Sequence, residues 1–294
     1  MKVFPEWAKY LHLGACQIRG MDFKWHDEPG KYREAVQFIK EDPLSLGSLV
    51  TTHKIDLLKA CRDQFEVLDE YAQLMGEISS ISKQGHSLAG HAKDPITSGL
   101  SLEALLPPNY WTATGAEVLV LGAGGSSLAI TGYLMKAHGN NLPSRIIVTN
   151  RSTARLEQMK GIHKKLGTKV PVEYHHAPNP KVSEHICGEL KPGSLVINAT
   201  GLGKDAPGSP LTDAAQFLEN GIAWDFNYRG DLVFLDQARA QEKARNLKVE
   251  DGWIYFLHGW TRVIAEVFHI HIPTAGPVFD ELSRIAASVR SYKE

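Results

Sequence analysis

The sequence predicts an α/β protein with two domains, and three observations support this prediction. Short apolar runs typical of strands alternate with amphipathic stretches typical of helices. The apolar run at 117–121 ends in a glycine cluster, and an apolar stretch compatible with a helix follows at 128–137. The chain has 294 residues, which approaches the upper size of a single hydrophobic core.

The glycine cluster is the most informative stretch of the chain. A strand, a glycine-rich turn and a helix in that order are typical of the phosphate-binding start of a Rossmann domain. Gly122 permits the tight turn, and Gly124 leaves bare backbone for a pyrophosphate. The helix N-terminus then offers free N–H groups and a positive dipole end. The residues predicted to bind a dinucleotide here are Gly122, Ala123, Gly124, Gly125 and Ser126.

The end of the next predicted strand, at 144–149, indicates which dinucleotide is bound. Asn150, Arg151 and Ser152 follow this strand, and Arg155 comes shortly after. An NAD-binding unit usually places an acid here to hold the ribose 2′-hydroxyl, whereas arginine suits a 2′-phosphate. The sequence therefore predicts NADP. An α/β domain with ordinary surface arginines is the alternative, and it accounts for neither the missing acid nor the glycines.

Composition and charge exclude several other classes of protein. The formal net charge of −1 indicates no preference for nucleic acid or for a membrane surface. No apolar stretch is long enough to span a bilayer, and the N-terminus lacks the apolar core of a signal peptide. The three cysteines lie far apart, and the histidines show no metal-ligand spacing. We therefore expect a reduced, cytoplasmic protein without a bound metal.

Periodicity gives a coarse order of elements along the chain. The best linker candidate is 107–109, with a first region at 1–105 and the nucleotide domain at 106–250. In the first region, helices are predicted at 31–40 and 55–66, and strands at 47–52, 78–82 and 87–91. Later in the chain, strands are predicted at 194–198 and 222–226, and helices at 253–268 and 280–292.

Several stretches, in the same order, resemble the shikimate dehydrogenase family. The segments that carry the resemblance are 50–54, 90–94, 122–125, 150–155, 197–200, 225–228 with 234–235, and 251–252. The resemblance implies an N-terminal α/β substrate domain, a Rossmann NADP-binding domain and an interdomain cleft. The substrate domain would comprise 1–105 and 251–294. The resemblance also implies a place in aromatic amino acid biosynthesis.

The resemblance implies that Lys54 and Asp94 are the catalytic pair. In the family, a Lys after the Val-Thr strand and an Asp after a Gly-x-Asn-Thr stretch hold these positions, and Lys54 and Asp94 match them. Moving a hydride to or from a secondary alcohol requires the hydroxyl proton to be removed or delivered, and a Lys can do this. Without the resemblance, Lys54 reads as a solvated surface residue and Asp94 as a turn or helix cap.

The resemblance also assigns residues around the nicotinamide and the substrate. Thr200, Leu202, Phe226 and Gly252 are expected to lie beside the nicotinamide, because ligands bind beyond the carboxyl ends of such strands. Tyr228 matches a family tyrosine that faces the substrate, although a half-buried tyrosine at a strand end is an equal interpretation. The remaining positions expected to contact substrate are Thr51, Ser79, His258 and Arg19.

The substrate positions depart from the family pattern. The family binds its substrate carboxylate through a Ser-x-Ser-Pro turn, whereas the matching stretch at 14–22 contains neither the hydroxyls nor the proline. Ser79 stands in place of an asparagine, and His258 before Gly259 in place of a glutamine. We interpret Arg19 as a replacement anchor, since a guanidinium can hold a carboxylate through two parallel hydrogen bonds. An exposed surface arginine is the alternative.

The sequence therefore predicts an NADP-dependent dehydrogenase that acts on a CH–OH group of a small, cyclic polyhydroxy acid, as a monomer or homodimer. Two alternatives stay open: an NADP(H)-binding sensor without turnover, and a divergent enzyme with another substrate. A glutamyl-tRNA reductase-like enzyme would share the glycine turn. It would also need an N-terminal nucleophilic cysteine, and Cys16 lies in the wrong setting for one.

Overall fold

The computed structural model describes residues 2–24, 26–136 and 139–290. The chain divides into two compact units. The first comprises the chain up to Thr97 together with the segment from Leu257 onward, and the second runs from Ser98 to Phe256. The domain limits predicted from the sequence, 1–105 with 251–294 and 106–250, stay a prediction.

The structure contains strands and helices in both units. The strands are β1 (Gly47–Leu49), β2 (Val67–Leu68), β3 (Ser80–Gln84), β4 (Ser87–His91), β5 (Val118–Leu121), β6 (Ile146–Asn150), β7 (Val172–His176), β8 (Leu195–Asn198), β9 (Ile222–Asp225) and β10 (Lys248–Glu250). The helices are α1 (Val3–Tyr10), α2 (Pro29–Glu41), α3 (Lys54–Cys61), α4 (Glu70–Met75), α5 (Asp94–Leu105), α6 (Tyr110–Thr114), α7 (Gly125–Lys136), α8 (Thr153–Leu166), α9 (Pro180–Gly188), α10 (Val233–Arg239), α11 (Glu242–Arg245), α12 (Trp253–Val267) and α13 (Pro277–Ser288).

The first unit is built on a four-stranded mixed sheet in the order β1-β3-β4-β2. β3 pairs antiparallel with both β1 and β4, whereas β2 pairs parallel with β4. The hairpin turns at Gly85, whose φ of 61° favours glycine. The strands predicted at 78–82 and 87–91 are confirmed as this hairpin, with β3 beginning two residues later than expected.

The helix predicted at 55–66 is shorter than expected. α3 ends at Cys61, and a 3₁₀ turn follows over Arg62–Gln64. Phe65 then takes an extended conformation and is buried in the same core as Leu58. Phe65 lies at the next apolar position of the helical pattern, but it is buried from the extended segment that leads into β2. The spacing of apolar residues therefore does not show where the helix ends.

The second unit confirms the predicted α/β class. Its six-stranded sheet has the order β10-β9-β8-β5-β6-β7, and all neighbouring strands are parallel. From β5 the chain adds β6 and β7 on one side, and it then returns to add β8, β9 and β10 on the other side of β5. The switch between β5 and β8 is the position where such folds bind ligands. All residues of β5, β8 and β9 are buried, as expected for strands covered by helices on both faces.

Helices from both ends of the chain complete the first unit. α1 lies against α13, and the fully buried Trp7 donates a hydrogen bond from Nε1 to the carbonyl oxygen of Leu282 at 2.8 Å. The boundary between the two units falls within α5, after Thr97, and within α12, after Phe256. Segments from both ends of the sequence therefore belong to the first unit.

Candidate active site

The glycine turn after β5 leaves backbone open at the start of α7. Gly122 has a φ of 114°, and a Cβ at this position would lie 2.9 Å from the carbonyl oxygen of Ala199. A Cβ added at Gly124 would meet no atom within 4 Å, so this backbone can be approached closely. α7 begins at Gly125, and Ser126 lies in its first turn. The turn therefore offers N–H groups and a positive helix end to an anion.

The end of β6 places two arginines in the segment that leads into α8. Asn150 ends the strand, and its side-chain amide donates to the carbonyl oxygen of Ser152 at 3.2 Å. The Ser152 hydroxyl caps α8 by accepting the Arg155 N–H. The side chains of Arg151 and Arg155 are exposed. Since β6 pairs parallel with β5, these arginines and the glycine turn follow the same edge of the sheet.

A hydrogen-bond network joins the loop after β8 to the loop after β9. Asn198 donates to Asp225 Oδ2 at 3.0 Å and accepts from the N–H and hydroxyl of Thr200 at 3.1 and 2.6 Å. Asp225 Oδ1 accepts the Asn227 N–H at 2.9 Å. The Asn227 side chain donates to the carbonyl oxygens of Thr200 and Leu202. The positions of Thr200 and Leu202 therefore depend on buried polar residues that the sequence reading did not assign to the site.

Asp225 has a strongly perturbed pKa. Burial raises its pKa to about 7, against the opposing effect of the hydrogen bonds from Asn227 and Asn198. The side chain is fully buried at the carboxyl end of β9. The signals for this network in the sequence are the segments 197–200 and 225–228, in which Asn198 and Asp225 end two neighbouring strands and Asn227 follows the second.

Phe226 and Gly252 lie in contact with each other, and their place beside a nicotinamide stays a prediction. The Gly252 N–H donates to the Asn227 carbonyl oxygen at 3.0 Å, and a Cβ at Gly252 would collide with the carbonyl group of Phe226. The Phe226 ring lies between Trp224 and Tyr255, at centroid distances of 4.6 and 4.8 Å. Only glycine fits at position 252 without moving this strand end.

Tyr228 is half-buried against two aromatic rings of α12. Its ring centroid lies 4.7 Å from that of Phe256 and 6.0 Å from that of Trp253. Trp253 and Phe256 stack on each other at 5.0 Å. Its predicted role in facing the substrate stays a prediction, because these contacts are those of a packed tyrosine at a strand end.

In the first unit, Lys54 and Asp94 form an ion pair. Lys54 is the first residue of α3 and Asp94 the first of α5, so two helix starts bring together residues that lie 40 positions apart. The Lys54 and Asp94 side chains are 21% and 14% exposed. Burial lowers the pKa of Lys54, but the negative charges of Asp94 and Glu77 outweigh this and raise it above its usual value. Lys54 is therefore held as an ammonium that still reaches solvent.

Glu77 is a third ionisable group beside this pair, and the sequence analysis did not single it out. It is only 2% exposed, and its Oε1 accepts no hydrogen bond from the described residues. Burial raises its pKa to about 7, with Lys54 acting in the opposite direction and Asp94 adding to the increase. The adjacent Ile78 N–H donates to the Lys54 carbonyl oxygen at 3.3 Å, which ties this segment to the start of α3.

The other residues of the first unit that are predicted to contact substrate differ in their burial and contacts, and their roles stay predictions. Ser79 is buried, and its hydroxyl donates to the His91 carbonyl oxygen and accepts the Lys93 N–H at 2.8 Å. His258 is buried too, with its ring stacked on Phe279 at 4.5 Å, and burial lowers its pKa to about 4. Arg19 and Thr51 are exposed residues outside regular secondary structure.

Among the described residues, no three or more His, Cys, Asp or Glu side chains lie together in a way that could hold a metal ion. The helices in the described ranges include none that combines the length and the apolar character needed to cross a membrane.

Sequence comparisons find the chain similar to shikimate dehydrogenases, although no protein-family model matches it. It is 28% identical over 188 residues to a shikimate dehydrogenase (NADP(+)) of Acinetobacter baumannii, covering 64% of this chain and 63% of the relative. It is 27% identical over 239 residues to the enzyme of the same name from Methanothrix thermoacetophila, covering 80% and 78%. The chain thus spans less than two thirds of the length of the first relative.

Solved structures share the fold over nearly the whole chain. Shikimate 5-dehydrogenase from Listeria monocytogenes, in complex with shikimate and NAD, gives a TM-score of 0.69 at 18% identity, covering 97% of this chain and 90% of that one. The 5-ketofructose reductase of a Gluconobacter species gives 0.67 at 17%, covering 97% and 92%. A shikimate dehydrogenase in complex with NADP+ gives 0.66 at 20%, covering 90% and 83%. The predicted two-domain α/β fold and the resemblance to shikimate dehydrogenases, as a divergent sequence, are confirmed.

The raised pKa of Asp225 predicts a pH dependence of stability. The native pKa of about 7 exceeds the ordinary value of 3.8, so the native state holds the proton more tightly between these pH values. The free energy of unfolding should therefore fall as pH rises through this window, by on the order of 4 kcal/mol at about 1.4 kcal/mol per pH unit. Asp225→Asn should remove this contribution to the pH slope in denaturant titrations. The exposed Asp231→Asn should retain it, and equal slopes for wild type and Asp225→Asn would contradict the account.

Proposed function

We propose that this protein is an NADP-dependent oxidoreductase that interconverts a secondary hydroxyl and a ketone on a small polyhydroxy carboxylic acid. The observation that carries the proposal is the Lys54–Asp94 ion pair, which is largely buried yet keeps part of both side chains open to solvent. The similarity to enzymes named shikimate dehydrogenase (NADP(+)) supports the same reaction class. The glycine turn and the two arginines of the second unit support the cofactor.

The chain's own residues supply the proton chemistry of this reaction. NADP, when bound, supplies or accepts the hydride. In the reducing direction, the Lys54 ammonium donates a proton to the carbonyl oxygen as that oxygen gains negative charge, and in the oxidising direction neutral Lys54 removes the hydroxyl proton. Asp94 accepts a hydrogen bond from Lys54, which orients the amine and balances its charge. The raised pKa of Lys54 keeps its amine protonated at neutral pH, so the ammonium is available to form a hydrogen bond with the reacting oxygen.

The second unit provides groups that match each part of NADP. The open backbone at Gly124 and the start of α7 suit the pyrophosphate. Arg151 and Arg155 suit the 2′-phosphate, since guanidinium groups form charge-assisted hydrogen bonds with phosphate oxygens. Thr200, Leu202, Phe226 and Gly252 suit the nicotinamide end, and the Asp225 network holds the first two in place.

We assign Arg19 to bind the carboxylate of the substrate. The stretch at 14–22 has none of the hydroxyls of the family's carboxylate turn, and Arg19 is its exposed cation. Tyr228 and Thr51 are assigned to the hydroxyl groups of the substrate, because both keep side chains at or near the surface. Ser79 and His258 are the other two residues predicted to contact substrate; both are buried, and their contact with substrate stays a prediction.

A non-catalytic NADP(H) sensor is the second candidate, and the rewritten substrate turn favours it. The Lys54–Asp94 pair argues against it, because a sensor does not need a proton-transfer pair. NADP+-linked oxidation of shikimate and quinate, and NADPH-linked reduction of the corresponding ketones and of 5-ketofructose, separates the two candidates. Tight NADP binding with no turnover of any of these would favour the sensor.

The proton role of Lys54 predicts a specific loss of turnover. Lys54→Ala should lower kcat by about 10²–10⁴-fold, the usual contribution of a positioned acid or base. NADP binding, measured by fluorescence titration, should be unchanged. Lys59→Ala is the matched control, because Lys59 is an exposed lysine of the same helix. If Lys54→Ala retains turnover equal to that of Lys59→Ala, Lys54 does not carry the proton.

The arginines after β6 predict a preference for NADP over NAD. Replacing both Arg151 and Arg155 by Ala should weaken NADP+ binding by about 10–100-fold, because the 2′-phosphate loses its charge-assisted hydrogen bonds. NAD+ binding should change little. Arg239→Ala controls for the removal of an exposed arginine from the same unit. Equal losses for the two cofactors would show that these arginines do not recognise the phosphate.

The assignment of Arg19 predicts an effect confined to acid substrates. Arg19→Ala should raise KM for a hydroxy acid by about tenfold, which is the effect of losing one exposed charge-assisted contact. KM for NADP+ should stay the same. An unchanged KM for the acid would remove Arg19 from the site, and Arg62→Ala tests whether any exposed arginine of the first unit has the same effect.

A further inference from the structure

Glu77 is a buried acid whose position the rest of the fold does not explain. It follows Gly76, which ends α4 with a φ of 66° and turns the chain toward β3. The side chain is 2% exposed, and one carboxyl oxygen accepts no hydrogen bond from the described residues. A buried carboxyl oxygen without a hydrogen-bond partner is costly, so such a residue is rarely kept for packing alone.

The charged groups that act on Glu77 come from two elements. Lys54 at the start of α3 lowers the pKa of Glu77, and Asp94 at the start of α5 raises it. The backbone link from Ile78 to the Lys54 carbonyl oxygen fixes Glu77 next to the first of these. One ammonium is therefore shared by two carboxyl groups. Asp94 contacts it directly, whereas Glu77 acts through the electrostatic field in a region of low dielectric.

We propose that Glu77 is a positioning residue that controls the charge of the Lys54–Asp94 pair, so that this chain uses a Lys–Asp–Glu triad in place of a pair. This inference rests on the proposed function for its catalytic meaning. The ionised Glu77 carboxylate stabilises the Lys54 ammonium, and protonation of Glu77 withdraws that stabilisation. Glu77 transfers no proton to substrate, since the atom that meets the reacting oxygen is Lys54 Nζ.

The triad makes proton transfer sensitive to pH near neutrality. The pKa of Glu77 of about 7 lies where its charge can change under ordinary conditions. With Glu77 ionised, Lys54 holds its proton more tightly and stays a donor to higher pH. With Glu77 replaced by an uncharged residue, Lys54 should lose its proton at lower pH. The pH limbs for both reduction and oxidation should then move in the same direction.

The first test is the pH profile of Glu77→Gln, which keeps the side-chain shape and removes the charge. We expect the limb attributed to Lys54 to move to lower pH by about one unit, as for a cation that loses a nearby anion. A defect in packing alone would lower kcat without moving the limb. Glu66→Gln is the matched control, because Glu66 is an acid of the same unit that pairs with Lys40. An unmoved limb in Glu77→Gln would overturn the proposal.

The second test does not depend on turnover and measures the free energy of unfolding from pH 5 to pH 8. The native pKa of Glu77, about 7, exceeds its ordinary value of 4.5, so wild-type stability falls as pH rises through this window. Glu77→Gln should lack this part of the slope, and Glu66→Gln should keep it. In Lys54→Ala, the decrease in the free energy of unfolding should extend to higher pH, because this variant lacks the cation that lowers the pKa of Glu77. Identical slopes in wild type, Glu77→Gln and Lys54→Ala would show that Glu77 is not coupled to the pair.

The two tests separate failure of this inference from failure of the proposed function. If no tested substrate turns over but the Lys54→Ala and Glu77→Gln slopes behave as expected, the triad stands and the assigned reaction is wrong. If turnover is found and neither the pH limb nor the stability slope responds to Glu77→Gln, the reaction stands and the triad is wrong.

Discussion

The ion pair between Lys54 and Asp94 is the interaction on which this account depends. It joins the first residues of two helices that the four-stranded sheet of the first unit holds in place. Burial alone would drive the Lys54 side chain toward its neutral form, and the surrounding carboxyl groups reverse that tendency. The result is a charged amine that remains partly open to solvent. An ammonium held in this way can donate a proton to a substrate oxygen that binds against it, and its advantage over a solvated surface lysine is its fixed position.

The second unit shows a comparable use of buried charge for a different purpose. Asp225 lies at the carboxyl end of β9 and connects, through Asn198 and Asn227, to the loop that contains Thr200. Its cost of burial is partly offset by hydrogen bonds, and these bonds fix two loops at the edge of the sheet where ligands of this fold bind. Both units therefore contain an acid whose pKa burial raises to about 7, one beside the amine and one behind the loops.

Much of the fold could be predicted because its signals are local in the sequence. The turn at Gly122 and Gly124 and the arginines after β6 are read from neighbouring residues, and the parallel sheet follows from the order of the elements. Lys54 and Asp94 are separated by 40 positions, so only resemblance brought them together before the structure did. Glu77 was not singled out, and Asp225 was noted only within the segment 225–228 without a role, because burial is a property of the folded chain. The helix predicted over 55–66 is too long because Phe65, whose spacing fits a helix, packs into the core from an extended segment.

The most direct measurement is the distance from Lys54 Nζ to the reacting oxygen in a crystal structure of the protein with NADP+ and a hydroxy-acid substrate or its ketone analogue. The account predicts a hydrogen bond of about 3 Å, with Asp94 on the other side of the amine. A substrate oxygen bound by other side chains, with Lys54 more than about 6 Å away and no water bridging them, would contradict the assignment of Lys54 as the proton carrier.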